Sequence, residues 1–252
     1  MQNTLLIGLS RQVALQRELD VVSNNIANMN TTGYKADGAI FEEFLSPTAR
    51  AAETGNRISY VHDRATWHDL GQGTVEQTGN PLDVAVQGNG FFVVQTPRGE
   101  RYTRNGALQL NANGELVTAS GYPVLGDSGP IRFQPTDRNI MIAQDGTVSV
   151  QEGSQSQASS LRGRLRVVNF NRPQQLQKDG DGSFSASANN APQPDTQSRI
   201  LQGSIEKSNV RSVVEMTRMI EVTRSYSQVA AMLQQQGDMR QSAIQKLADV
   251  PA

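Results

Sequence analysis

Near the start of the chain, apolar residues recur at alternating spacings of four and three: Leu15, Leu19, Val22, Ile26 and Met29. This is a heptad stripe, the mark of a helix with a narrow apolar face. Extended backwards it meets Gln12, Gly8, Leu5 and Met1, with Leu6, Leu9 and Val13 forming a second apolar line beside it. The pattern predicts a helix over roughly residues 3–29, about 40 Å long. The other end of the chain mirrors it. Val213, Met216, Ile220, Thr223, Ser227 and Ala230 keep the three-four alternation, and after a single shift Leu233, Gly237, Arg240, Ile244 and Leu247 continue it. That segment predicts a helix of about 45 residues, roughly 67 Å. Two long, narrow-striped helices at opposite ends suggest a paired coil; the alternative is two amphipathic helices folded onto a globular core.

Between them the period changes to two. Leu82-Asp83-Val84-Ala85-Val86 alternates, and Gly90-Phe91-Phe92-Val93-Val94-Gln95 predicts a strand buried on both faces. Strands at Ala107–Leu110 and Glu115–Thr118 flank the turn composition Asn111-Ala112-Asn113-Gly114, and those at Asn139–Ala143 and Thr147–Val150 flank Gln144-Asp145-Gly146, so both predict hairpins. Leu161 to Phe170 reads as a further strand, and Thr78-Gly79-Asn80-Pro81 as a turn. No proline precedes Pro47 or falls between Pro194 and Pro251, and aromatics concentrate in the middle. The expected class is α+β: long N- and C-terminal helices forming a coiled-coil-like layer, with a central all-β domain. The expected divisions are residues 1–35, a connecting segment over 36–69, the β domain over 70–200 and the C-terminal helical segment over 201–252. Ser46–Ser59 and Ala186–Ser198 read as loops.

The N-terminal stripe ends in four asparagines within seven residues, Asn24, Asn25, Asn28 and Asn30. Asparagine disfavours a helix interior because its amide competes for backbone hydrogen bonds. Retaining Asn24, Asn25 and Asn28 implies other partners for those amides, or a fraying terminus. Thr32-Gly33 supplies a stop, with Gly33 free to take the left-handed conformation.

Composition narrows the chemistry. Of 252 residues 37 % are hydrophobic and 19 % charged, with a net charge of −1, which gives no general attraction to nucleic acid or anionic lipid. The absence of cysteine excludes disulfides and thiol chemistry. No apolar run approaches a membrane span, and the first residues lack the basic leader and apolar length of a secretory signal. His62-Asp63 and His68-Asp69 lack the further partners a metal site needs and read as solvated polar residues in a loop or edge segment. Asp179-Gly180-Asp181-Gly182-Ser183 lacks the later ligands of a calcium loop and reads as a glycine turn. Arg162, Arg164 and Arg166 alternate along one strand face, as a solvated face or a charge-paired contact. Gly88-Asn89-Gly90 precedes a strand rather than a helix, and no nucleophile elbow or phosphate loop occurs, so no cofactor or metal is expected.

Three stretches carry a resemblance. Asn24-Asn25-Ile26-Ala27-Asn28-Met29-Asn30-Thr31-Thr32-Gly33-Tyr34-Lys35 resembles the N-terminal signature of the bacterial flagellar axial proteins, the rod and hook family. The second runs from Leu70-Gly71-Gln72-Gly73 through Thr78-Gly79-Asn80-Pro81-Leu82-Asp83-Val84 to Gly90-Phe91-Phe92, and on through Tyr102-Thr103-Arg104-Asn105-Gly106. The third is Gln202-Gly203-Ser204-Ile205-Glu206-Lys207-Ser208-Asn209-Val210, leading into Met219–Tyr226. Gly121-Tyr122-Pro123-Val124-Leu125-Gly126 and the short segment between Phe44 and Leu70 resemble the proximal-rod members, whereas Met219–Tyr226 is closer to the distal-rod pattern.

The resemblance implies a structural subunit of the basal-body rod and no enzyme. It would leave the cell uncleaved through the flagellar export apparatus and lie in the rod across the periplasm, in a hollow helical shaft that transmits torque and passes exported subunits. It implies as partners copies of the chain, other rod proteins and the export apparatus, with no nucleic acid, small-molecule substrate or membrane insertion. The expected assembly residues are Leu15, Leu19, Val22, Asn24, Asn25, Ile26, Asn28, Met29, Gly33 and Tyr34 at one end. At the other they are Asn209, Val213, Met216, Ile220, Tyr226, Leu233, Ile244 and Leu247. The competing classes are a periplasmic β-rich glycan hydrolase, which needs an acid-base carboxylate pair in a cleft, and a dimeric β-domain adaptor.

Overall fold

The structure is a computed structural model; it describes residues 2–45, 59–152 and 159–248, with backbone alone for 2–5, 41–45, 59–65 and 246–248. The chain divides into two compact units, one formed by residues 1–27, 37–68 and 211–252, the other by 28–36 and 69–210.

The first unit contains both long helices, α1 (Gln2–Ala27) and α2 (Ser212–Ala248), and a two-stranded ladder of Asp37–Leu45 with Ser59–His68. The helices pack antiparallel: Gln12 Nε2 donates to the Tyr226 hydroxyl at 3.0 Å, and Arg218 pairs with Glu18 at 2.9 Å. Ala14, Leu15, Val21 and Val22 of α1 and Val222 of α2 are buried. The predicted connecting segment is thus largely paired strand, with a register shift between Ile40 and Phe41. Gly38 faces Trp67 across the ladder, and a Cβ there would lie 2.2 Å from the indole nitrogen. The expected Ser46–Ser59 loop lies, up to residue 58, outside the described residues.

Both helices are shorter than their patterns predict. α1 stops at Ala27, and Asn28 begins a turn in which the Thr31 amide donates to the Asn28 carbonyl at 3.1 Å. Gly33 is left-handed, with φ of 69°, but sits beyond that turn rather than at the helix end. α2 spans 37 residues, about 55 Å. It begins at Ser212 because the chain before it pairs with strands far upstream: Arg199–Gln202 with Val84–Gln87, and Ser204–Glu206 with Val75–Gln77.

The second unit is β-rich. A six-stranded sheet runs in the order Gln177–Lys178, Ser183–Ser185, Gly99–Thr103, Phe91–Thr96, Val167–Asn169, Gln193–Pro194. The Phe91–Thr96 strand is buried on both faces. Phe92 and Val94 enter a cluster with Val84, Leu116, Val148 and Ile200; Phe91 and Val93 enter another with Tyr102, Phe170 and Phe184. Phe91 meets the rings of Phe170 and Phe184 edge-on, at 5.9 and 5.8 Å. A three-stranded sheet joins Asp137–Ile142, Thr147–Glu152 and Ser159–Arg164. Leu161 to Phe170 is therefore two strands, broken at Leu165–Arg166 where Leu165 bridges to Gly126. The predicted hairpin turns close at Gly114 and Gly146, both at positive φ. Ala186–Ser198 is irregular apart from Gln193–Pro194, which pairs with Val168 and Asn169.

Candidate functional site

The asparagine-rich end of α1 is a hydrogen-bonding device. Asn25 is 1 % exposed, and its amide reproduces the two faces of a peptide group. Nδ2 donates to the Asp37 carbonyl at 2.8 Å and Oδ1 accepts from the Asp37 amide at 2.9 Å, so the helix holds the first residue of the strand. Nδ2 also reaches Glu215 Oε2 on α2 at 3.3 Å. Asn24 is exposed and Ile26 half-buried in the same unit.

In the second unit the three motif stretches meet. Glu206, fully buried, receives Lys35 Nζ at 2.5 Å on one carboxylate oxygen and Arg104 Nη1 at 3.3 Å on the other. The Gly73 amide adds a bond to Oε1 at 2.8 Å, and the Gly33 amide donates to the Glu206 carbonyl at 2.7 Å. Lys35 also donates to the Gly71 carbonyl at 2.8 Å, and Arg104 to that of Gly88 at 2.7 Å while lying 4.8 Å over the Phe91 ring. Burial lowers the pKa of Lys35 against the opposing pull of Glu206, and lowers that of Arg104 likewise. Tyr34 lies under the Lys178 ammonium, 3.5 Å from the ring centre. Asn209 Oδ1 accepts from the Ala36 amide at 2.8 Å, and its Nδ2 donates to the carbonyls of Asp69 and Gly71. Gly33 is required by space as well as by φ: a Cβ would fall 2.4 Å from the Asn105 amide nitrogen. Every group here fastens one chain segment to another, and the salt-bridged carboxylate is enclosed by two cations. The chemistry is that of a clamp.

The remaining expected assembly residues divide by burial. On α1, Leu15 and Val22 are buried and Leu19 half-buried; Asn28 and Met29, half-buried, belong with Gly33 and Tyr34 to the second unit. On α2, Tyr226 and Leu233 face α1, whereas Val213, Met216 and Ile220 are 75, 47 and 54 % exposed. Ile244 is exposed, and the Leu247 side chain lies outside the described residues. Sequence reasoning gave Lys35, Arg104 and Glu206 no role; their charges stood inside the matching motifs, the one available signal.

The polar residues considered for chemistry are paired structurally. His68 Nδ1 lies 2.7 Å from Asp37 Oδ1, while the His62 side chain is outside the described residues. Asp179–Ser183 is a hairpin turn, as its glycines suggest. The arginine row pairs within the chain: Arg162 with Asp137 at 2.6 Å, Arg164 with the Asp145 carbonyl at 2.8 Å, Arg166 with Glu100 at 2.6 Å. Among the described residues no three His, Asp or Glu side chains are grouped to hold a metal ion. A groove of about 440 Å³ in the second unit is lined by Glu100, Asp127, Asp145 and Asp195, among others. Amide and hydroxyl bonds from Thr147 lower the Asp145 pKa. Burial pushes Asp195 up, but bonds from Ser198 and the Gln197 amide outweigh it and leave it lowered. A hydrolase acid needs the opposite shift.

The chain matches known families over all three motif regions. Residues 5–35 match the family described as flagella basal body rod protein, 85–150 the flagellar hook protein FlgE/F/G D1 domain, and 201–246 the flagellar basal body rod FlgEFG protein C-terminal family. The flagellar basal-body rod protein FlgF of Caulobacter vibrioides is 39 % identical over 99 % of this chain and all of its own length. The chain belongs to the flagellar basal-body rod protein family. FlgF of Mesorhizobium japonicum is 34 % identical over 98 % of both chains. The rod protein FlgG of Buchnera aphidicola subsp. Schizaphis graminum is 36 % identical over 84 % of this chain and 87 % of its own. Within the rod family the chain is most like the FlgF members. It is a structural subunit of the flagellar basal-body rod, a motility protein and not an enzyme. No helix among the described residues is long and apolar enough to cross a membrane.

Proposed function

We propose that the chain is a proximal-rod subunit that builds a hollow helical shaft by packing its terminal helices, coiled-coil fashion, against those of neighbouring subunits. The observation that carries this is the exposed stripe of α2. Val213, Met216 and Ile220 keep heptad spacing and stay exposed in the single subunit. Narrow apolar stripes of this length are covered in coiled assemblies, where knobs on one helix enter holes on the next. Burying many such positions in series gives a stiff wall, which torque transmission needs. The clamp around Glu206 fastens the segments of the β-rich unit to one another.

Export without cleavage, through the flagellum's own apparatus, is part of the same reading. It is supported by the chain's place in the flagellar rod family. The proximal rather than distal position is supported by the full-length likeness to FlgF relatives. A density map of intact basal bodies at side-chain resolution tests this: this chain's sequence should fit subunits of the proximal section. Density for it only in the distal section would remove the proximal assignment.

A further inference from the structure

Among the described residues, helix α2 continues past the first residue of α1. Gly8 of α1 faces Leu233, to whose Cδ2 a Cβ at that position would approach within 2.6 Å. Running the antiparallel register onward at equal rise brings Gln2, the first described residue of α1, level with about Met239. Arg240–Ala248 thus continue about 13 Å past it. In this overhang Ile244 is 67 % exposed, and Arg240 has no ion-pair partner among the described residues. Arg240 and Ile244 are four apart and share a helix face.

Towards the other end of the same helix pair lies an open groove of about 600 Å³. Leu15, Val213, Val214 and Val222 give it apolar walls, and Arg11, Glu18, Arg218 and Glu221 are its charged lining. Glu18 and Arg218 satisfy each other at 2.9 Å; Glu221 has no ion-pair partner among the described residues.

We propose that the α2 overhang of one copy seats in the α1–α2 groove of a second copy, Ile244 entering the apolar wall beside Val214 and Arg240 meeting Glu221. This rests on the rod-subunit reading. The second copy is the occupant because one seating covers an exposed aliphatic side chain with an apolar groove and brings an unpaired cation to an unpaired carboxylate. The two patches are about 40 Å apart along α2. Each copy therefore offers one of each, and the contact is heterologous, the kind that propagates rather than closing on itself.

The chain has no cysteine, so Val214→Cys with Ile244→Cys introduces the only two thiols. Thirty residues apart on one helix, they are separated by about 45 Å, far beyond the Cα spacing of about 7 Å that a disulfide spans. Basal bodies carrying the full-length double variant in place of wild type are oxidised and run on a non-reducing gel. The expected result is a ladder of covalent multimers of this chain, absent from either single variant. Variant present in the basal bodies without a ladder, a product that stops at two copies, or a disulfide to another protein each overturns the proposal and leaves the rod reading standing. Wild-type chain missing from purified basal bodies would instead remove the rod reading. Should the double variant fail to enter the rod, the charge pair decides: Glu221→Arg and Arg240→Glu are each expected to lose incorporation and their combination to regain it. A combination no better than the single changes overturns the contact.

Discussion

Asn25 and Asp37 hold each other by two hydrogen bonds, side-chain amide to backbone, at 2.8 and 2.9 Å. The pairing resembles a rung of β-ladder with one strand replaced by a side chain. Loss of the amide removes a partner from a backbone donor and from an acceptor in a part-buried place, which costs about 1–3 kcal/mol. Asn25→Ala should therefore lower the unfolding free energy of the helical unit by that order. Hydrogen exchange should show lost protection at the Asp37 amide; unchanged protection there would refute the role given to Asn25.

The clamp in the β-rich unit sets one carboxylate against two cations. Glu206→Gln leaves Lys35 and Arg104 buried without their counter-charge, a change that costs about 3–5 kcal/mol. Lys35→Met removes a cation and its desolvation penalty while Arg104 still neutralises Glu206, and should cost clearly less. Denaturant melts of the two variants check this order, and equal destabilisation would contradict it.

Gly33 is constrained twice, by a φ of 69° and by the backbone of Arg104 and Asn105 where a Cβ would lie. Gly33→Ala should cost more than the roughly 1–2 kcal/mol of left-handed strain alone, because backbone must also shift. A thermal melt with no measurable change would show that the close approach is not real.

Acid should loosen the three-stranded sheet at Asp137. Hydrogen bonds from Arg162 are the main cause that holds its pKa below the ordinary 3.8. A carboxyl depressed in the folded state adds stability above its unfolded pKa and loses it as pH falls through the folded value. The wild-type protein should therefore lose stability below about pH 4 more steeply than Arg162→Ala, which is already weakened at neutral pH. Parallel stability profiles between pH 5 and 2 would contradict this.

The two terminal helices, the doubly buried Phe91–Val94 run and the hairpins at Gly114 and Gly146 were legible because their signals are local: a period, a turn, a glycine. The pairing of Val84–Gln87 with Arg199–Gln202 joins segments more than a hundred residues apart and leaves no local mark. The strands over residues 37–45 and 59–68 were hidden by charged and polar residues such as Glu42, Glu43, His62 and Asp63, which blur the alternation. Lys35, Arg104 and Glu206 were missed because charged residues are seldom fully buried, and their pairing follows only from the long-range fold. On α2 the heptad pattern was visible, but not which of two adjacent stripes meets α1. Val222, Tyr226 and Leu233 do, and Met216 and Ile220 stay exposed.

That division makes Ile220 the decisive position. It is 54 % exposed in the single subunit and lies on the stripe proposed to be covered in the rod. Burying an unpaired carboxylate there would cost several kcal/mol, whereas solvating it costs little. Purified Ile220→Asp protein should keep the wild-type thermal transition, while cells relying on it should lack completed rods and fail to swim. Normal rods and motility in those cells would contradict the assembly seam, and an unfolded purified subunit would show that Ile220 serves the fold of the single chain instead.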